Sequence, residues 1–210
     1  MDGVISTLDH LLWAAPDLAT AVAELEALTG VRAAPGGSHP HLGTHNALTA
    51  LGEGVYLEVV APHPELPPGS HTRQFAALKR PALFTWAALV EDAEQAAKRA
   101  QTAGLAATIN DGSRRTPDGG VLEWKTAHVT DHAFGNLVPF FIDWLDTEHP
   151  ARRAPGGITL NSFHILSPVA REIIALFDLL GIQADVRQSD VKGLVAQLDT
   201  PRGRVKLAGP

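Results

Sequence analysis

Cysteine is absent from the 210 residues, which removes disulfides, thiolate metal sites and a cysteine nucleophile from consideration. A chain of this length with 45% hydrophobic residues buries a core without such staples. The absence also fits a reducing compartment, so the expected location is cytoplasmic. No basic segment followed by an apolar one opens residues 1–8, and no apolar run approaches the ~18 residues of a membrane span, so no membrane partner is expected. Positive charge is sparse. The net charge is −6 and Arg152-Arg153 is too small a basic group to hold a phosphate backbone, which argues against a nucleic-acid partner. Tyrosine occurs once against ten histidines, and histidine is the commonest metal ligand and the side chain that titrates near neutral pH.

Three segments close alike: Leu28-Thr29-Gly30-Val31, Thr102-Ala103-Gly104-Leu105 and Leu179-Leu180-Gly181-Ile182. Each glycine reads as the residue just past a helix, where the left-handed conformation penalises a side chain. Upstream, at nearly constant distance, stand helix starts at Asp17, Asp92 and Ser167-Pro168. Leu18, Val22, Leu25 and Leu28 form the apolar stripe of the first helix, and Ala93, Ala96, Ala97 and Ala100 that of the second. Val169, Ile173, Leu176, Phe177 and Leu180 form the third.

An apolar run of strand length precedes each helix, at 7–14, 82–90 and 157–166. Three shorter runs follow each glycine: 31–34, 45–51 and 55–60; 106–110, 121–128 and 137–144; 184–187, 193–198 and 204–207. Turn residues punctuate them, among them Gly52-Glu53-Gly54, Pro117-Asp118-Gly119-Gly120 and Thr200-Pro201-Arg202-Gly203. The pattern predicts an α+β chain of repeated βαβββ modules whose helices lie on the sheets. Modules are expected at 1–62, 82–146 and, shorter, 157–210, joined by linkers at 63–81 and 147–156.

A βαβββ repeat that opens on Leu8-Asp9-His10-Leu11-Leu12-Trp13-Ala14-Ala15-Pro16-Asp17-Leu18 resembles the vicinal oxygen chelate superfamily. Gly36-Gly37-Ser38-His39-Pro40-His41-Leu42-Gly43-Thr44-His45-Asn46, Tyr56-Leu57-Glu58-Val59-Val60 and Pro139-Phe140-Phe141-Ile142-Asp143-Trp144 are similar to its glyoxalase-like branch. The resemblance implies curled mixed sheets with helices outside and paired modules around a cleft, where a divalent metal chelates vicinal oxygens of a substrate through ligands on first and last strands. It places those ligands on His10 and Glu58. The matching positions of the later modules fall on Thr85, a poor ligand, and Asn161, so a four-ligand set is not visible.

Each candidate has a plainer reading beside the functional one. His10 is a ligand or base, or a hydrogen-bonded histidine at a strand end. Glu58, between Leu57 and Val59, faces either the cleft or solvent, because burial without a partner is costly. His45 and Asn46 follow a glycine-rich loop and reach the cleft mouth or bond a turn. Asp143 completes an oxygen-rich site or accepts a bond from Trp124 Nε1. Trp124, Trp144 and Phe141 line a pocket or belong to the core. His39 and His41 read as loop residues, His128 and His132 as turn residues, His164 as core.

Two functions follow as expectations. One is an isomerase or lyase that binds a small oxygenated metabolite on a divalent ion (Zn, Mn, Fe or Ni), with His10 and Glu58 as ligands and proton carriers. The other is a metal-free protein that binds or sequesters a small molecule in the same hollow. The resemblance also implies pairing of modules between chains, which allows a homodimer and a further reading in which the repeated unit serves chiefly as a dimerisation scaffold.

Overall fold

The computed structural model of the chain describes residues 6–69, 71–116 and 119–209. Residues 1–5 and the first half of the turn expected at Pro117-Asp118 lie outside the described residues.

The first segment forms β1 (Thr7–Ala14), α1 (Leu18–Thr29), β2 (Ala34–His39), β3 (Thr44–Ala50) and β4 (Tyr56–Pro62). After a short helix, α2 (Thr72–Ala76), come β5 (Ala82–Leu89), α3 (Ala93–Thr102), β6 (Ala106–Arg115), β7 (Val121–Thr130) and β8 (Phe140–Asp143). The last segment gives β9 (Thr159–Ser167), α4 (Ala170–Leu180), β10 (Val186–Gln188), β11 (Gly193–Thr200) and β12 (Gly203–Ala208). Asp17 caps α1 by accepting from Thr20 N, and Asp92 caps α3 by accepting from Glu94 N and Gln95 N. Gly30, Gly104 and Gly181 carry φ of 80°, 82° and 71°, the left-handed geometry that stops each helix. The third helix starts later than its sequence suggests. Ser167 Oγ accepts from Val169 N and closes a turn ahead of Ala170, in place of capping a helix that opens on Pro168.

Eight strands make one sheet in the order β2-β3-β4-β1-β5-β8-β7-β6. In each half the first strand lies parallel to the last, β1 beside β4 and β5 beside β8, and the halves join through antiparallel β1 and β5. The sheet curls until its outer strands approach: Arg114 on β6 donates to the Gly36 carbonyl on β2. The last four strands form a second sheet ordered β10-β9-β11-β12. It keeps the βαβββ element order but not the pairing, since β9 lies parallel to β10, the strand after its helix, and antiparallel to β11.

The convex side of the large sheet holds the main core. Leu11, Trp13, Leu57, Val59 and Phe141 pack there under α1 and α3, and Trp86 meets Phe163 of β9 and Phe177 of α4 at ring-centre distances of 5.5 and 6.1 Å. The α3 stripe is alanine, so this helix lies close to the sheet while burying little area. The concave side encloses a smaller cluster of Leu48, Tyr56, Ala87, Ile142 and Trp144. No helix among the described residues is long and apolar enough to cross a membrane.

The stripe of α1 is turned from the expected one. Ala21, Val22, Leu25 and Thr29 are buried while Leu28 is 41% exposed, because the helix packs on the face centred between Val22 and Leu25. Leu25→Ala therefore costs roughly 2–5 kcal/mol of stability, and Leu28→Ala less than about 1 kcal/mol. Urea unfolding of the two variants checks the difference, and equal losses would contradict this packing.

Candidate functional site

The pairing of β1 with β5 slips between Leu8 and His10, so Asp9 is the extra residue of a bulge. Strict alternation would send Asp9 and His10 to opposite faces of the sheet. The bulge re-aims Asp9, and both side chains meet on the concave side. Asp9 Oδ1 accepts from His10 Nδ1 at 2.5 Å, and Oδ2 accepts from Trp144 Nε1 at 2.9 Å and His149 Nε2 at 3.0 Å. Burial pushes this carboxyl up, but the bonds and charges of His10 and His149 outweigh it and hold it down to about 2. Asp9 is thus ionised at neutral pH, and it fixes the Nδ1 proton of His10. Nε2 is left to accept or release a proton.

His10 is 2% exposed and stacks on Tyr56 at 4.5 Å, with Phe140 edge-on at 5.6 Å. Its Nε2 faces Glu58 Oε2 at 3.5 Å, too long for a direct hydrogen bond. Glu58 Oε1 accepts from Asn46 Nδ2 at 2.7 Å. Asn46 Oδ1, also buried, has no hydrogen-bond partner among the described residues. Burial, followed by the charges of Asp9 and Glu58, pushes the Tyr56 phenol well above its usual range, so it stays neutral. Arg114, buried on β6, is lowered by burial and partly restored by Glu58 and Tyr56. His39 belongs to the same hollow: β2 runs through it, its Nδ1 lies 3.2 Å from Thr44 Oγ1, and its ring meets Trp124 edge-on at 6.1 Å. Burial lowers its pKa, against the opposing pull of Glu58.

Of the residues singled out in the sequence, the fold brings together His10, Glu58, Asn46 and Trp124, the last packed on Trp144 at 5.6 Å. It turns three others away. His45 projects from the opposite face of β3, where its ring lies 4.9 Å from that of His63. On β8, alternation sends Phe140 and Ile142 to the hollow and Phe141 and Asp143 towards α3. Phe141 is therefore core, and Asp143 accepts from Ala93 N at 3.4 Å and Leu145 N at 2.8 Å, so it reaches neither Glu58 nor Trp124 Nε1. His128 is a strand residue stacked on Phe140 at 5.2 Å, not a turn residue. Thr85 bonds the Asn136 carbonyl, and Asn161 bonds Asp199 on the second sheet.

Asp9, Tyr56, Arg114 and His149 were missed by sequence reasoning. Asp9 beside His10 in an apolar strand was the one available signal. Arg114 lay past the expected end of its strand, and His149 lay in an expected linker.

Among the described residues, no group of three or more His, Cys, Asp or Glu side chains is placed to hold a metal ion. A catalytic ion of the zinc type takes three protein ligands and an open position. His10 Nε2 and Glu58 supply two, Asp9 is committed to His10, His149 and Trp144, and the nearby cationic Arg114 opposes a dication. The donor set does not fit a resident catalytic metal.

Comparison with known proteins agrees with this architecture. A hypothetical protein from Staphylococcus aureus superposes with a TM-score of 0.69 at 16% identity, covering 97% of this chain and 85% of that one. Methylmalonyl-CoA epimerase from Mycobacterium tuberculosis gives 0.50 at 18% identity over 69% of this chain and 92% of its own. A mutant of 4-hydroxymandelate synthase from Streptomyces coelicolor gives 0.51 at 14% identity over 99% and 64%. At these identities the likeness is one of fold. No curated protein matches the sequence. The model of the glyoxalase-like domain matches residues 8–180, and the chain belongs to that family, within the vicinal oxygen chelate superfamily.

Proposed function

We propose that the protein binds a small oxygenated metabolite in the hollow of the curled sheet and moves a proton on it between His10 and Glu58, as an isomerase or lyase does. The observation that carries this reading is the facing pair His10 Nε2 and Glu58 Oε2, 3.5 Å apart and buried, each held from behind by a second side chain. Asp9 fixes the tautomer and orientation of the imidazole, as Asn46 fixes the carboxylate. At 3.5 Å the two groups meet a substrate from one side: one takes a proton from a carbon next to a carbonyl, and the other passes it to the neighbouring atom on the same face. Negative charge developing on the carbonyl oxygen meets the neutral Tyr56 hydroxyl in a water-poor site.

The reading needs no divalent ion, because the donor set falls one ligand short. The plainer alternative, a binding or sequestering protein of the same fold, shares the hollow and lacks only the proton transfer. Deuterium exchange separates the two. In D2O, tag-free protein is expected to wash deuterium into the carbon adjacent to the carbonyl of small enolisable ketoacids and hydroxyketones, as followed by proton NMR. His10→Ala and Glu58→Gln are each expected to slow that exchange by at least about 100-fold. Binding without exchange supports the sequestering protein. Exchange that is lost on chelation and restored by Zn, Mn, Fe or Ni would defeat the metal-free reading.

Asp9 makes a separate stability prediction. Its folded value of about 2 lies below the usual 3.8, so the unfolded state binds the proton more tightly. The stabilisation is present above pH 3.8 and is lost as pH falls through about 2. Asp9→Asn is expected to remove on the order of 2 kcal/mol at neutral pH and to flatten the acid limb of the stability curve. Urea titrations from pH 7 to pH 2 check both, and an unchanged limb would contradict the assignment.

A further inference from the structure

Proton transfer between His10 and Glu58 leaves two groups of the hollow without full partners, and they are neighbours across the seam where the sheet curls on itself. Arg114 is 8% exposed, donates through Nη1 to the Gly36 carbonyl, and makes no ion pair with a described residue. A guanidinium carries five donors in a planar fork, and burying one is costly unless those donors are used; Glu58 acts on it only through space. Asn46 Oδ1 is a buried acceptor with no donor among the described residues. The pair Gly36-Gly37 lies against both groups. A Cβ on Gly36 would lie 2.2 Å from Asn46 Oδ1, and one on Gly37 would lie 3.3 Å from Arg114 Cδ and Nη1. The missing side chains leave the backbone of β2 close against each group. Arg114 lines a groove of about 600 Å³ together with Pro35, Gly36, Gly37, Ser38 and Arg115, among others, and Asn46 lies against Gly36.

We infer that the ligand is a small hydroxylated carboxylate. Its carboxylate takes the Arg114 fork in place of the Gly36 carbonyl, at the seam between β2 and β6, and its hydroxyl donates to Asn46 Oδ1. A planar fork matches a carboxylate through two parallel bonds, which a backbone carbonyl cannot supply. The hydroxyl fits because Asn46 already spends its Nδ2 on Glu58 and presents an acceptor. A ligand so held is anchored through groups next to the His10–Glu58 pair. The inference rests on the placement of the ligand in the hollow proposed above.

The test uses the full chain labelled with 15N, followed through the Arg114 Nε–H and His10 ring signals, with glycolate and lactate as probes against their uncharged amides, glycolamide and lactamide. The two acids are expected to move both sets of signals and to bind at least about tenfold more tightly than the amides. Arg114→Met is expected to abolish the preference and Arg114→Lys to keep part of it, since lysine retains the charge but not the fork. The comparison of acid with amide on the unaltered protein stands whatever the variants do to folding. Equal affinity for acid and amide, with His10 still responding, overturns the carboxylate and leaves the hollow as the binding place. A preference for the acids with no response at His10 counts against both. No binding of either acid, or tighter binding of inorganic phosphate, also overturns the inference.

Discussion

The buried Asp9 carboxylate is the constraint on which the site depends. An ionised carboxylate inside a protein is tolerated only when donors replace its water, and here three do so from three stretches of chain: His10 on the same strand, Trp144 just after β8, and His149 beyond it. The bonds tie β1, the strand through which the first half joins the second, to the end of the second half and to the segment that follows. They also hold His10 in one tautomer and one direction. The bulge in β1 makes this possible, because strict alternation would turn Asp9 towards the apolar convex core.

The rest of the hollow follows from that anchor. Around the chain Asp9–His10–Glu58–Asn46 the walls are aromatic or aliphatic: Tyr56 under the imidazole, Phe140 at its edge, then Trp144, Trp124, Leu48 and Ile142. Low-polarity walls strengthen each electrostatic interaction inside and penalise each unpaired polar atom. The convex core, built from Leu, Ala, Trp and Phe against the helices and the second sheet, supplies rigidity without entering the chemistry.

Much of this was legible in the sequence. Aspartate and glycine mark both ends of α1, and the apolar runs mark β1, β3, β4, β5, β7 and β9, since caps and alternation are local properties. Glu58 could be placed because its neighbours Leu57 and Val59 are plainly core residues. The failures have physical causes. β2 was displaced because Gly36-Gly37-Ser38-His39 has the composition of a loop and forms a strand only as an edge partner of β3, with a register shift at its start. β6 was expected to stop early, which hid Arg114. Phe141 and Asp143 sit in the right strand on the wrong face, a parity that depends on where β8 begins. Asp9 was overlooked because a bulge leaves no mark in the alternation of a single strand. The different pairing of the last four strands was equally silent, since βαβββ element order is compatible with both arrangements.

Charge and closure are linked through one seam. Seven joins in the large sheet are strand pairings, and the approach of β2 to β6 is not among them. The Arg114–Gly36 bond is a polar link across that seam, and its donor makes no ion pair with a described residue. A single bond from a guanidinium to a neutral carbonyl is weaker than the same fork on a carboxylate. A carboxylate bound at the seam, as proposed above, replaces that single bond with two parallel ones and brings an opposite charge to the guanidinium.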